Sequence, residues 1–323
     1  MTQVPPVTPP SPVTDLRDYR TQSPRTASQR PAFEEPPMDQ ATGLRTMQND
    51  MQKKADTPLR VLSLCSGKGG VGKSCVAVNV ACAAAQMGRK VLLLDADLGL
   101  ANVEILLGIR PRYHLGDLLE GRSIHEVMAP GPHGIRILAG GSGIAHLQHL
   151  DDGAKQQLIA AMDPLEDTFD TVIIDAGAGI GENVRFFVGA SHERILVVNP
   201  EPTSLTDAYA TVKVLSESGI PDVQVLVNSV QSEIEARTVF KALAQVTDKH
   251  LKTRLHFLGA IPKDGAVNQA VMARQPVIDL FPRAPASQAL RQMAARYFQN
   301  PSQFPVDGGL KFLWSRLMRE SAA

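Results

Sequence analysis

The chain is poor in cysteine, in aromatic residues and in any excess of one charge sign. Its three cysteines, Cys65, Cys75 and Cys82, lie close together in a chain of 323 residues, and their spacing matches no zinc pattern. They read as small reduced hydrophobes. Lys plus Arg and Asp plus Glu number 33 each, so the formal net charge is zero, which argues against a dedicated nucleic-acid coat. No apolar run approaches the roughly 18 residues a membrane-spanning helix needs, and the opening of the chain holds no hydrophobic stretch of the signal-peptide kind. A cytosolic protein with no direct nucleic-acid contact is expected. What the sequence does have is apolar content, 43% of residues, enough for a full core in one α/β domain with tails.

Residues 1–37 hold nine prolines among Ser, Thr, Gln and Arg and are expected to form a disordered arm. A helix is predicted over 38–54, opened by Pro36-Pro37 and ended by Thr57-Pro58, within a separate segment 38–57. From Leu59 onward, nearly continuous apolar runs at 61–65, 91–94, 135–138, 171–174, 195–198, 223–227 and 255–258 alternate with helical segments such as 74–87, 152–162, 204–218 and 233–247. Runs without polar alternation suit strands covered on both faces. The βαβ alternation predicts a doubly wound, mainly parallel sheet with helices on both faces over residues 58–300. Gly308-Gly309 forms a hinge within 301–323, and the last segment carries an apolar stripe of Leu310, Leu313, Trp314, Leu317 and Met318 flanked by Lys311, Arg316 and Arg319. That pattern fits an interfacial amphipathic membrane helix; packing of the stripe on the protein's own surface is the alternative.

Gly67-Lys68-Gly69-Gly70-Val71-Gly72-Lys73-Ser74 lies between the first predicted strand and the first predicted helix, the context a phosphate-binding P-loop requires. Glycines let backbone N–H groups turn inward around phosphate oxygens, and the helix N-terminus adds its positive dipole end. Lys73 is placed to reach β- and γ-phosphates and the Ser74 hydroxyl to ligand Mg²⁺. Lys68 is an additional lysine that an ordinary P-loop does not need, and by itself it is equally a solvated loop charge. The second run leads into Asp95-Ala96-Asp97 and the fourth into Asp175-Ala176-Gly177-Ala178-Gly179, which puts carboxylates at strand carboxyl ends, where α/β sheets bind ligands. Such groups position a metal or a water, or cap a loop.

The segment Lys68-Gly-Gly-Val-Gly-Lys-Ser resembles the deviant Walker A motif of the ParA/MinD ATPases, a P-loop NTPase family. That resemblance implies that Lys68 reaches the nucleotide of a partner subunit, and hence an ATP-dependent homodimer. It also implies catalytic roles for Lys68, Lys73 and Asp97, with Asp97 orienting the hydrolytic water. Ser74, Asp97 and Asp175 would hold Mg²⁺, with ATP cradled by Gly67, Gly69, Gly70, Val71, Gly72, Lys73, Ser74 and Cys75. Asn228 matches the family's adenine-contacting asparagine, although a loop-capping role fits it too, and Ile261-Pro262-Lys263-Asp264 matches the base-lining loop through Pro262 and Asp264. An amide reads adenine's mixed donor and acceptor edge, which favours ATP. Gly177 stands where MinD-like proteins usually have proline, and Cys75 where one branch often has asparagine.

That branch is the FlhG/FleN/YlxH group of flagellar-number regulators. Its likeness is carried by Asp97-Leu-Gly-Leu-Ala-Asn-Val-Glu104, Gly140-Gly-Ser-Gly-Ile144 and Asp175-Ala-Gly-Ala-Gly-Ile180. Asp39-Gln40-Ala41-Thr42-Gly43-Leu44-Arg45 resembles the motif by which such proteins activate the SRP-type flagellar GTPase FlhF, implying partner contacts through Asp39, Gln40, Ala41, Leu44 and Arg45; a polar linker helix is the alternative. The implied function is a slow, dimer-dependent ATPase that cycles to the membrane and sets flagellar number or placement, with flagellar C-ring proteins and a transcription activator as further partners. Two rivals stand beside it: a MinD- or ParA-type division or DNA positioning factor, and a binding regulator of a transcription activator for which ATP only sets a conformation.

Overall fold

In the computed structural model, residues 59–141, 150–165 and 167–299 are described. The strands are β1 (Arg60–Ser66), β2 (Val91–Ala96), β3 (Ala129–Pro130), β4 (Arg136–Leu138), β5 (Thr171–Ala178), β6 (Glu193–Val198), β7 (Asp222–Val230) and β8 (Arg254–Pro262). They form a single sheet in the order β3-β4-β2-β5-β1-β6-β7-β8. Every neighbouring pair is parallel except β3 and β4. The short β3 ends on Pro130, which as an edge residue has no ladder bond to lose.

The helices are α1 (Lys73–Gln86), α2 (Val103–Leu107), α3 (Leu115–Leu119), α4 (Ile124–Val127), α5 (Asp152–Met162), α6 (Glu182–Gly189), α7 (Pro202–Glu217), α8 (Glu233–His250), α9 (Gly265–Ala273), α10 (Val277–Leu280) and α11 (Pro285–Gln299). Alternate strand residues feed two cores. Val61, Leu92, Leu94 and Ile174 face α3 to α8, while Leu62, Leu64, Leu93 and Ile173 face α1, α2 and α9 to α11. A strand with apolar neighbours above and below has no use for polar alternation, which is why these strands read as continuous hydrophobic runs.

Three differences from the sequence reading matter for the site. The strand predicted to stop at Ile174 continues to Ala178, because the small residues Ala176 to Ala178 still pair with β1 and β2. The strand predicted to stop at Leu94 continues to Ala96, so only Asp97 of the two acidic residues lies past its end. Helices α6 and α11 formed no part of the predicted set, the first because its eight residues directly follow Gly177, Gly179 and Gly181.

Candidate nucleotide site

The order of the sheet makes a crevice at the carboxyl end of β1. The chain leaves β1 through α1 for β2 on one side, and after β5 it returns to β6 on the other, which is the switch-point arrangement at which open α/β sheets bind ligands. The loop from Gly67 to Gly72 fills this place. Gly70 and Gly72 have φ of 80° and 88°, left-handed values that a side chain resists. Gly67 is required for a different reason: a Cβ there would stand 2.2 Å from the backbone carbon of Asp207 in α7. Helix α1 starts at Lys73 with no side-chain cap and no acidic residue in its first turn, so its leading N–H groups are open to an anion.

Lys73 turns inward. Its Nζ donates to Asp175 Oδ1 at 2.6 Å, with the lysine side chain 6% exposed and the aspartate 0%. Burial pushes the Asp175 carboxyl above its ordinary pKa, against the pull of Lys73, and the charge of Asp97 pushes the same way as burial. Its second oxygen, Oδ2, is buried without a hydrogen-bond partner. A buried carboxylate oxygen left unpaired is costly, and a hard cation with its waters is the kind of group that satisfies it. The donor set therefore fits Mg²⁺, which Asp175 and the Ser74 hydroxyl would hold.

Asp95 takes the capping role. It pairs in register with Asp175 across β2 and β5, and both its oxygens accept backbone N–H bonds, from Asp97 at 3.1 Å and from Asn102 and Val103 at 2.9 and 3.0 Å. Burial and the Asp175 charge raise its pKa to about 7, against those three hydrogen bonds. Asp97 lies at the mouth of the site, where its Oδ1 accepts the Leu100 N–H at 3.2 Å. A Cβ on Gly177 would stand 3.7 Å from the Asp97 carboxyl carbon, so the loop carrying Asp97 lies against the end of β5, which carries Asp175. Cβ contacts at Gly177 are ordinary; the glycine there is not sterically demanded.

Lys68 points away from its own phosphate cradle and donates to Glu201 Oε2 at 2.6 Å and to Thr203 Oγ1 at 3.0 Å, at the start of α7. The Asn228 amide donates to the Val71 carbonyl at 2.7 Å and braces the loop from below. Asn199, with its amide nitrogen turned toward acceptors, adds bonds to Val71 and Asn228 carbonyls, each at 3.2 Å. Glu201, Thr203 and Asn199 escaped the sequence reading; their signal was position, directly past the apolar run 195–198 that ends a parallel strand. Asp264 caps α9 through Ala266 N–H at 2.9 Å and also holds Ala286 N–H at 3.1 Å, and Pro262 ends β8 beside Val230. The Cys75 thiol sits on α1, accepting a 3.6 Å contact from Asn79, with its pKa pushed by burial to about 11. Burial likewise lifts Cys65 and Cys82 to about 12, so all three thiols stay protonated and unreactive. Among the described residues no helix is long and apolar enough to cross a membrane. Asp39, Gln40, Ala41, Leu44 and Arg45, the Ser142-Gly143-Ile144 stretch, and the stripe Leu310, Leu313, Trp314, Leu317 and Met318 lie outside the described residues.

A parallel sheet with a glycine cradle at its switch point, an inward lysine and a buried strand-end aspartate defines a P-loop nucleotide-binding protein. The CobQ/CobB/MinD/ParA nucleotide binding domain model matches residues 62–277, and the chain belongs to that family. Within it the chain is of the FleN/YlxH type. It is 42% identical over 267 residues to the antiactivator FleN of Pseudomonas aeruginosa, covering 82% of this chain and 95% of that one. It is 27% identical over 288 residues to the flagellum site-determining protein YlxH of Helicobacter pylori, covering 87% and 97%. A solved structure of the septum site-determining protein MinD of Pyrococcus horikoshii, complexed with Mg-ADP, superposes with a TM-score of 0.62 at 25% identity, covering 74% of this chain and 95% of that chain.

Proposed function

We propose that the protein is an ATPase that controls flagellar number or placement by cycling between an ATP-bound homodimer at the membrane and a free monomer. The observation that carries the nucleotide cycle is the buried Lys73–Asp175 pair. An arriving triphosphate draws Lys73 from Asp175 onto the phosphates, which leaves Asp175 and Ser74 to hold the metal. Mg²⁺ supplies charge neutralisation of the β- and γ-phosphates there. Asp97, at the mouth, orients the attacking water, and Lys68 leaves Glu201 to reach the nucleotide of the second subunit. Asn228, Pro262 and Asp264 line the side on which the base rests. The N-terminal helix, through Asp39, Gln40 and Arg45, stimulates the SRP-type GTPase FlhF, and the 310–318 stripe carries the dimer to the inner face of the membrane.

A second reading is favoured by the word antiactivator in the name of the 42% identical relative: ATP occupancy sets a conformation that binds a transcription activator, and turnover is secondary. Asp97→Ala separates the two. Loss of a water-orienting group lowers turnover by ~10²-fold or more. An ATPase-driven cycle then stalls in the dimer and accumulates on vesicles, whereas an occupancy switch keeps its regulatory output. Undiminished turnover by Asp97→Ala rejects the catalytic assignment of that residue.

A further inference from the structure

The segments that enter β2, β4 and β5 meet at the amino-terminal edge of the sheet, the edge opposite the phosphate loop. Strand β2 alone, with its 6 residues, separates the two edges by roughly 20 Å at ~3.3 Å per residue. Between these segments lies a cleft of about 560 Å³, a size typical of small-ligand sites.

Its lining is cationic. Arg89, Lys90 and Arg136 border it together with His125 and His133, over an apolar floor that includes Phe169, and no carboxylate is among the described lining residues. Two acidic groups beside it are already engaged. Asp170 accepts the Lys90 N–H at 3.0 Å and the Thr171 hydroxyl at 2.7 Å, and Asp279 faces His133 at 2.9 Å and Gln86 at 2.8 Å. Arg89 gives one N–H to the Phe298 carbonyl at 2.7 Å; the side chains of Lys90 and Arg136 make no ion pair among the described residues. On a molecule of zero formal net charge, three permanent cations around one concavity repel each other, and a multivalent anion relieves that repulsion.

We propose that this cleft is a second anion site, distinct from the P-loop, that takes a phosphate-bearing ligand. The planar fork of Arg136 suits two phosphate oxygens at once, and Lys90 adds a mobile point charge. The same chemistry is offered by a soluble phosphate compound and by an anionic lipid head group. The hold of Arg89 on Phe298 places the cleft beside the end of α11, after which the 310–318 stripe follows in sequence. In its lipid form alone, the inference rests on the membrane reading above.

Inorganic pyrophosphate titrated calorimetrically into the full chain tests the site, alongside sedimentation with vesicles of phosphatidylcholine, alone or with phosphatidylglycerol added. Lys73→Ala is expected to lose the P-loop site and keep the cleft. Lys90→Gln and Arg136→Gln are each expected to weaken the cleft by about tenfold or more, the effect of one lost charge-assisted contact. A loss seen with pyrophosphate assigns a soluble phosphate; a loss confined to phosphatidylglycerol vesicles assigns a lipid head group. Lys90 is an exposed loop residue, so its substitution does not threaten folding. If neither probe responds to Lys90→Gln or Arg136→Gln, the proposal is overturned, whatever Lys73→Ala shows at the P-loop.

Discussion

Lys68 is held by Glu201, Nζ to Oε2 at 2.6 Å, within its own subunit. The lysine side chain is 29% exposed and the glutamate 57%, so the pair contributes less than about 1 kcal/mol and is cheap to release. Glu201→Gln is accordingly expected to leave stability unchanged within about 1 kcal/mol and to let the ATP dimer form at equal or lower protein concentration. Lys68→Ala is expected to keep nucleotide binding by the monomer and to lose the dimer. Sedimentation velocity with ATP and Mg²⁺ checks both; a Lys68→Ala chain that dimerises like the wild type rules out a role across the interface.

Lys73→Ala strands Asp175. Breaking a buried pair by removing one partner costs up to about 3–5 kcal/mol, and the variant should also lose nucleotide binding. The loss of stability depends on pH with a definite sign. The Asp175 pKa is raised in the folded state by burial even with Lys73 present, and without the lysine it rises further. The folded state then holds a proton that the unfolded chain has released, so stability falls as pH rises above the ordinary carboxylate range. Denaturant unfolding should show Lys73→Ala closer to wild type at about pH 5 than at about pH 8. An equal deficit at both values rules out Asp175 as the stranded charge.

Asp95 and Asp175 face each other across adjacent strands, and their titrations are linked. Asp95, raised mainly by burial and next by Asp175, titrates at about 7. Asp175→Asn removes the second cause and leaves the first, so the Asp95 pKa should fall yet stay above the ordinary aspartate value. Side-chain carboxyl carbon shifts measured through a pH titration report this directly. Stability linked to Asp95 is greatest when it is protonated and declines from about pH 4 to its folded pKa; in Asp175→Asn that decline should end at lower pH.

Gly67 and Gly69 occupy the same loop under different constraints. A Cβ at Gly67 collides with the α7 backbone at 2.2 Å, whereas one at Gly69 meets nothing within 4 Å. Gly67→Ala is expected to destabilise the fold by about 1–3 kcal/mol, the usual cost of overpacking. Gly69→Ala should preserve the fold, so any effect it has falls on nucleotide binding. Thermal unfolding paired with nucleotide titration separates the two; equal melting losses would show that the loop is not pressed against α7.

The P-loop, every strand but the two-residue β3, and the helices α1, α5, α7 and α8 were readable from the chain itself, because each depends on local rules: glycines where φ is positive, unbroken apolar runs where both sheet faces are covered, and helical spacing between them. The meeting of Lys73 with Asp175 follows from the same pattern, since strand ends converge in any doubly wound sheet. What only the tertiary structure decided are relations between distant segments. The insertion of β5 between β1 and β2 sets Asp95 against Asp175 and turns it into a buried cap. The approach of α7 gives Lys68 its partner Glu201, and the first turn of α11, brought to Asp264 beside the start of α9, occupies that carboxylate's second oxygen. The cationic cleft is likewise assembled from three loops that share no local pattern. Periodicity encodes which face of an element is buried; which elements become neighbours is settled by the long-range packing of those faces, and chemistry that spans two elements appears only then.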